Sequence, residues 1–462
     1  MTLIKSVSGI RGTIGGKSGN NLTPVDIVKF TSAFCKIIKK SSGTENLKII
    51  VGRDARISGQ SVSDIICGTL VANGVKVIDI GLATTPTTEI AVTEEGADGG
   101  IIITASHNPK QWNALKLLNK KGEFISAEDG NELLKIAETD FNNFSFSEIN
   151  EYQEIENKDY LQKHIDLILN NKYVDVEAIK KANFRVAIDA VNSVGGIALP
   201  PLLEQLGVKK VVKLNCEATG EFAHTPEPVP QNLTQISSLM KEQSLDVGFA
   251  VDPDVDRLVI INEDGSMFNE EYTIVAIADY ILLQTPGNTV SNLSSSRALR
   301  DVTEKYGGKY YASAVGEVNV VAKMKEVNAV FGGEGNGGVI FPELHYGRDS
   351  LAGIALFLTH LAKSGKKCSE LRETYPDYFI SKNKIELTKD TNVDKLLEKV
   401  KNKFSEKDNV QISVIDGVKL DFEDGWVHLR KSNTEPIIRI YAESKSPEKA
   451  DEFARMIMKE LK

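Results

Sequence analysis

Cysteine is scarce in this sequence, and its four residues, Cys35, Cys67, Cys216 and Cys368, are too scattered for a zinc pattern. Four in a chain of 462 residues are also too few for a disulfide framework, so a reducing cytoplasm is the expected compartment. Basic charge is lacking as well: the formal net charge is −9, which argues against a nucleic-acid backbone as main partner because that needs a basic face. Any anion site must therefore be built locally. No apolar run approaches a membrane span, and Met1-Thr2-Leu3-Ile4-Lys5-Ser6 lacks the basic-then-apolar order of a secretion signal. What the chain does have is 41% hydrophobic and 26% charged residues, enough for large cores, and a length that calls for three or four domains.

The first chemistry-bearing stretch is Thr104-Ala105-Ser106-His107-Asn108-Pro109, directly after the apolar run Gly99-Gly100-Ile101-Ile102-Ile103. The apolar run reads as a buried strand and Asn108-Pro109 as its exit, so Ser106 is presented at a strand end, where open α/β sheets place their ligands. A serine there can act as nucleophile or carry a phosphoryl group; Thr104, Ser106 and Asn108 can equally be helix caps. Around it the pattern alternates. Helical spacing over 25–39 and 61–73 separates apolar strands at 48–52 and 75–80, which argues for a parallel sheet flanked by helices. Ahead of these, Ser8-Gly9-Ile10-Arg11-Gly12-Thr13 reads as a flexible loop with a glycine-flanked Arg11 suited to a phosphate or carboxylate. Lys116, within 113–118, returns toward the serine edge as an electrostatic or acid/base partner, or as a solvated lysine on an alternating strand.

The polar segment 141–159 looks like a domain boundary, followed by a helix over 160–169 and a second α/β unit from Phe184. Its strand 246–251 runs into Asp252-Pro253-Asp254-Val255-Asp256-Arg257. Three carboxylates at alternate positions repel one another unless a hard divalent cation sits among them. An EF-hand fails here, because the position that needs glycine is Arg257 and the apolar run Leu258-Val259-Ile260-Ile261 makes a strand where the loop should continue. Oxygen ligands, and few of them, suggest Mg²⁺, which usually needs a phosphate oxygen to complete its shell. A solvated acidic turn is the plain alternative.

A third unit ends in a strand at 329–331 that opens into Gly332-Gly333-Glu334-Gly335-Asn336-Gly337-Gly338. Buried apolar segments bound this run, so a loop clamping a polyhydroxylated ligand through Glu334 and Asn336 is favoured over a flexible linker. His345, Arg348 and Asp349 follow and can share that edge. From about Tyr378 the pattern turns β-rich, with a final helix at 447–461. It contains Arg430-Lys431-Ser432-Asn433-Thr434-Glu435-Pro436 and then an alternating strand with Arg439. An arginine with hydroxyls on a turn suits a phosphate nest, although Ser-Asn-Thr also favours a plain hairpin turn.

These four motifs, in this order and over essentially the whole chain, resemble the α-D-phosphohexomutase family, in its archaeal-type branch. The resemblance implies three similar α/β domains with mixed sheets and a smaller C-terminal α+β domain around a central cleft, here 1–150, 151–280, 281–377 and 378–462. It implies a phosphohexomutase, an isomerase that moves a phosphoryl group between the 6- and 1-positions of a hexose phosphate through a phosphoserine and a bisphosphate intermediate. Ser106 would be the phosphoserine and, with Asp252, Asp254 and Asp256, would hold one Mg²⁺. Arg11, His107, Lys116 and Arg257 would assist proton transfer and balance charge. Glu334 and Asn336 would grip sugar hydroxyls, and Arg430, Ser432, Asn433, Thr434 and Arg439 the phosphate that is not reacting. The family's sugar loop often ends in a histidine that is missing here, a role that passes to His345 if it survives. A hexose 1,6-bisphosphate would serve as activator. Glucosamine phosphate is the favoured substrate, with a phosphomannomutase/phosphoglucomutase as the alternative; a metal-dependent sugar phosphatase and a non-catalytic sugar-phosphate binder are the rival classes.

Overall fold

The computed structural model describes residues 2–6, 9–139, 141–387, 392–405, 407, 409–432 and 437–461. Its contacts divide the chain into two compact units, Met1–Thr273 with Gly337–Leu371, and Ile274–Asn336 with Arg372–Lys462. Among the described residues no helix is long and apolar enough to cross a membrane.

The first unit carries two sheets. One comprises β1 (Ile4–Ser6), β2 (Gly9–Thr13), β3 (Lys48–Arg53), β4 (Lys76–Leu82), β5 (Gly99–Ile103), β6 (Trp112–Asn119) and β7 (Ile155–Asn157), in the order β1-β2-β6-β5-β3-β4-β7. β5, β3, β4 and β7 run parallel, as the alternating pattern predicts, but β6 and β2 pair antiparallel, so the sheet is mixed. The reason is length: residues 104–111 are too few for a crossover, and β6 must return beside β5. No helix follows Ser106, which removes the capping alternative. β7 also corrects the reading of 141–159 as boundary alone, because Ile155 pairs with Val77 and extends the first sheet. The second sheet contains β8 (Arg185–Asp189), β9 (Lys210–Leu214), β10 (Val247–Val251) and β11 (Leu258–Asn262), ordered β11-β10-β8-β9.

In the second unit β12 (Thr289–Asn292) pairs in parallel with β13 (Tyr310–Ser313) and β14 (Phe331–Glu334). β14 takes up Gly332 to Glu334 of the glycine-rich run, and the run's last glycine opens β15 (Gly338–Ile340), which falls to the first unit. The C-terminal sheet is antiparallel throughout: β16 (Phe379–Glu386), β17 (Gln411–Ser413), β18 (Val418–Phe422), β19 (Gly425–Lys431) and β20 (Ile437–Ser444), ordered β16-β20-β19-β18-β17. The helices Val393–Ser405 and Pro447–Glu460 cover it, burying Val400, Phe404, Ala454 and Ile457 against Leu420, Val427 and Ile440. The result is the expected α/β architecture with mixed sheets and a smaller C-terminal α+β domain.

Two helices carry functional weight without an amphipathic signal. Thr85–Glu94 is buried from Thr85 to Val92, and Ser350–Ser364 from Ser350 to Leu361. A helix enclosed on all sides has no polar face, so its period is invisible in the sequence.

Candidate active site

Ser106 lies on the turn between β5 and β6 with φ 48, a left-handed conformation uncommon outside glycine. The turn is held from below. Thr104 Oγ1 accepts the Ser106 N–H at 3.0 Å and donates to Asp54 Oδ2 at 2.7 Å. Arg56, which is 1% exposed, donates its Nε to Asp54 Oδ2 at 3.0 Å. Its remaining nitrogens donate to the carbonyls of Pro109, Trp112, Asn108 and Ser106. One buried guanidinium therefore fixes the path of the whole loop, and sequence reading passed it over because its partners are backbone atoms about 50 residues away.

The Ser106 hydroxyl donates to Asp252 Oδ2 at 2.7 Å. Asp252 leads the turn from β10 into β11, whose strands pair Val251 with Leu258. In that turn Val255 has φ 63, strained for a β-branched side chain, and is pinned from both sides: its N–H donates to the Asp252 carbonyl, and its own carbonyl accepts from Ser350 N–H. Asp252 Oδ1 accepts the N–H groups of Asp256 and Arg257, each at 3.2 Å. The turn thereby points three fully buried carboxylates at one place, with ligand oxygens within 4.8 Å of one another.

Two of these oxygens, Asp254 Oδ1 and Asp256 Oδ1, are buried with no hydrogen-bond partner among the described residues. Burial and the neighbouring Asp256 and Asp254 push the Asp252 carboxyl well above the usual range. Orphaned carboxylate oxygens and a carboxylate that resists ionisation are what a site for a hard dication looks like before its charge is counted, so the residues fit the metal that the motif implies. Their other oxygens are tied down. Lys116 Nζ donates to Asp254 Oδ2 at 2.7 Å and to Asp256 Oδ2 at 3.2 Å, Thr85 Oγ1 to Asp254 Oδ2 at 2.7 Å, and Arg348 Nη2 to Asp256 Oδ2 at 2.6 Å. Although burial alone raises the Asp256 carboxyl, Arg348, Lys116 and Arg257 hold it below the ordinary range. Burial also works against the Lys116 ammonium, but Asp254 and Asp256 carry it above the ordinary lysine value. Lys116 is therefore a charged donor, and the register that pairs it with Ile102 on β5 delivers it here.

Arg11, His107 and Arg257 complete this cluster. Arg11 stands on strand β2 and not on the flexible loop expected from its glycines. Gly9, at φ 124, is required instead by close strand approach: a Cβ there would meet the Leu115 carbonyl at 2.4 Å. Arg11 Nη1 donates to Asn108 Oδ1 at 3.3 Å, and Arg257 Nε is 3.9 Å from carboxylate oxygens of Asp252 and Asp256. Arg257, then burial, then Arg11 lower the His107 pKa to about 2, so its imidazole is neutral. Its Nδ1 is 3.5 Å from Ser106 Oγ. Burial and Arg257 lower the Arg11 guanidinium too, the signature of cations crowded around a place where an anion belongs.

In the second unit Glu334 ends β14, 4% exposed, with Oε1 accepting from Asn292 Nδ2 at 2.8 Å and Gly316 N–H at 3.1 Å. Asn336 is half-buried beyond it. Arg430 and Arg439 stand directly opposite each other on β19 and β20. Ser432 is 5% exposed, its N–H donating to the Ile437 carbonyl at 3.0 Å. Asn433 and Thr434 lie outside the described residues. His345 requires a correction: both ring nitrogens face buried carboxylates, Nε2 toward Asp349 at 3.2 Å and Nδ1 toward Glu89 at 3.3 Å. Its Nε2 is taken by Asp349, and its ring is packed between two carboxylates and not beside Glu334. Thr85, Arg56 and Asn292 are the contributors that sequence reasoning missed. Of these only Asn292 had a local signal, the polar run Ser294-Ser295-Ser296 just after a strand.

Family models described as phosphoglucomutase/phosphomannomutase match nearly the whole chain: alpha/beta/alpha domain I over 3–143, domain II over 162–265, domain III over 269–378 and the C-terminal domain over 384–460. The chain belongs to the α-D-phosphohexomutases. This phosphohexomutase is 38% identical over 455 residues to a phosphoglucomutase/phosphomannomutase of Thermococcus kodakarensis, covering 97% of the chain and 98% of the relative. It is 34% identical over 460 residues to a phosphoglucosamine/phosphogalactosamine mutase of Sulfurisphaera tokodaii, covering 98% and 97%. A crystal structure of a phosphoglucomutase/phosphomannomutase family protein from Burkholderia thailandensis superposes with a TM-score of 0.85 at 26% identity, over 99% of this chain and 96% of that one. The mutase is accordingly an isomerase of four-domain α/β architecture.

Proposed function

We propose that this phosphohexomutase interconverts glucosamine 6-phosphate and glucosamine 1-phosphate through phosphorylated Ser106. The observation that carries the reading is the Ser106 hydroxyl 2.7 Å from Asp252, beside aspartate oxygens that have no partner among the described residues. Asp252, Asp254, Asp256 and the Ser106 oxygen would hold one Mg²⁺, which when bound offsets the charge of the phosphoryl group. Arg11 and Arg257 balance the rest of that charge, and Lys116 keeps Asp254 and Asp256 oriented.

The transfer breaks the bond between phosphorus and Ser106 Oγ and forms one to the free sugar hydroxyl; the hydroxyl's proton leaves to a neighbouring base, and the departing Ser106 oxygen takes up one proton to become the free hydroxyl. The product of this half is a hexose 1,6-bisphosphate. Turned end for end, it returns its other phosphate to Ser106. Such transfer depends on positioning and charge more than on covalent help from the protein. Glu334 and Asn336 would hold sugar hydroxyls, and Arg430, Ser432, Asn433, Thr434 and Arg439 the phosphate that is not reacting.

The preference for glucosamine rests on the branch that the sequence resembles and on the relative from Sulfurisphaera tokodaii. The 38% identity to a phosphoglucomutase/phosphomannomutase favours a second reading, glucose and mannose phosphates. Glu334 and Asn336 fit hydroxyls that all three sugars share, so overlapping activities follow. We also assign the protein to the cytoplasm, on its four free cysteines, and divide its domains at 150, 280 and 377.

Intact mass and peptide mapping test the phosphoserine. Ser106→Ala is expected to lose turnover on the order of 10⁶-fold, as removal of a nucleophile does. Full activity in that variant, with no phosphate on wild-type Ser106, overturns the mechanism. Sustained phosphate release without isomerised sugar would instead reveal a phosphatase. With glucosamine, glucose and mannose phosphates assayed side by side, glucosamine phosphate turned over worst of the three gives the substrate to the second reading.

A further inference from the structure

A second buried cluster of ligating side chains lies in the first unit, apart from the aspartate turn. His164 comes from the helix Leu161–Leu169, Thr87 and Glu89 from the helix Thr85–Glu94, and His345 and Asp349 from the segment that enters the helix Ser350–Ser364. We propose that His164, His345 and Asp349 form a metal site for a dication of the Zn²⁺ class, which fastens these three segments together.

Convergence is the first ground. His164 Nε2 and His345 Nε2 lie 2.9 and 3.2 Å from the same Asp349 Oδ2, and the three ligand atoms are all within 4.8 Å of one another. Around a tetrahedral Zn²⁺, with bonds of about 2.0–2.1 Å, neighbouring ligand atoms stand roughly 3.3 Å apart. Two of the three ligand-atom separations are already close to that spacing.

The groups behind the ligands are the second ground. His164 Nδ1 is 3.0 Å from Thr87 Oγ1, and His345 Nδ1 is 3.3 Å from Glu89 Oε2. Asp349 Oδ1 accepts the N–H groups of Leu351 and Ala352 at 2.8 and 3.1 Å, leaving Oδ2 to face the two rings. His164 and Asp349 are thus oriented from their far sides by hydrogen bonds, as metal-bound histidines are when their other nitrogen meets a hydroxyl, and a carboxylate stands behind His345.

Burial is the third. Asp349 and Glu89 stand beside the two rings as carboxylates only 1% exposed, and a dication among the ligands would offset their charge. Two imidazoles select a borderline metal over Mg²⁺, which prefers oxygen ligands and water, so the two clusters of this unit sort cations by donor type. Because Arg348 precedes Asp349 and reaches Asp256 at 2.6 Å, a loaded site would also steady that arm.

Full-length protein stripped with chelator and titrated with Co²⁺ in excess Mg²⁺ decides the matter. The proposal expects the visible absorption of four- or five-coordinate cobalt, saturating at one ion per chain and bleached by added Zn²⁺. It should persist in Asp254→Asn and vanish in His164→Ala. Glu89→Gln, a milder change that keeps the ligands, should weaken Co²⁺ about 10–100-fold. No absorption in the wild type overturns the site and leaves a proton as its only cation. Absorption lost in Asp254→Asn but kept in folded His164→Ala, or unchanged affinity in Glu89→Gln, does the same.

Discussion

The first unit gathers carboxylates at one turn, where the second sets two arginines opposite each other. In the first, Asp252, Asp254 and Asp256 converge, with Oδ1 of Asp254 and of Asp256 unpartnered among the described residues, an arrangement that could hold a cation. In the second, Arg430 and Arg439 oppose each other across two strands, a like-charge pairing that disfavours the sheet unless an anion lies between them. Burial and Arg439 lower the Arg430 guanidinium, with Asp416 pulling the other way. Two buried histidines report the same contrast. His345, between Glu89 and Asp349, is raised to about 10 despite its burial. His428 is lowered to about 4, by burial and by Lys419 and Arg430; among the described residues its hydrogen bonds go to the Ser294 hydroxyl and the Asp416 backbone carbonyl and not to a carboxylate. Burial acts alike on both rings, so the partners decide the sign. An enzyme that moves a phosphate needs both kinds of site, one to anchor a metal and one to grip an anion.

The largest effect expected from breaking this contrast is in the aspartate cluster. Asp254→Asn keeps the fold but removes a charge from the metal set, and turnover should fall at least about 10³-fold, comparable to losing a major electrostatic group. The check is steady-state turnover beside a melting curve. Undiminished turnover in wild-type protein treated with chelator would show that the cluster is not a metal site.

Next comes His345. Its folded pKa is raised from 6.5 to about 10, so the stability it contributes is fully present below pH 6.5 and is lost as pH rises toward 10. The loss amounts to roughly 4 kcal/mol across that window in metal-free protein. Urea unfolding at a series of pH values measures it, and His345→Gln should flatten the alkaline slope.

His428 should behave with the opposite sign. Its folded pKa is depressed from 6.5 to about 4, so its contribution is present above pH 6.5 and is lost as pH falls through that range, by roughly 3 kcal/mol. Removing the ring in His428→Gln ought to abolish that part of the acid slope while leaving the alkaline limb intact. Acid slopes that coincide for variant and wild type would contradict the assignment.

The smallest effect concerns the arginine pair. If Arg430 grips phosphate as proposed, Arg430→Ala deletes charge-assisted hydrogen bonds worth about 1.5–3 kcal/mol, so KM should rise roughly 10–100-fold, and equally for glucosamine, glucose and mannose phosphates. A loss confined to one sugar would mean that Arg430 reads the ring.

Two residues show how far local pattern reaches. Asp252-Pro253-Asp254-Val255-Asp256 was legible as a cation site because its charges are crowded along the chain itself, and repulsion between near neighbours needs no fold to be recognised. Ser106 was legible because an apolar run and Asn108-Pro109 bracket it. Neither pattern foretold what surrounds them. Lys116 was an even choice between a site and solvent until the register with β5 placed it 2.7 Å from Asp254, 138 residues away. Arg11 was misassigned to a loop, since its glycines serve strand approach and not flexibility. His345 was given to the sugar on sequence proximity to Glu334, and packing turned it to Glu89 and Asp349 instead.

By itself, then, the sequence determined the family and the α/β class, and it singled out the serine and the three carboxylates that we propose as nucleophile and metal ligands, each written in a contiguous stretch whose chemistry is local. The tertiary structure decided which cations meet those carboxylates, which arginine holds the serine loop, and that His164 faces Asp349 across 185 residues of chain. Such choices are energies of burial and charge between distant segments, and no window of neighbouring residues contains them.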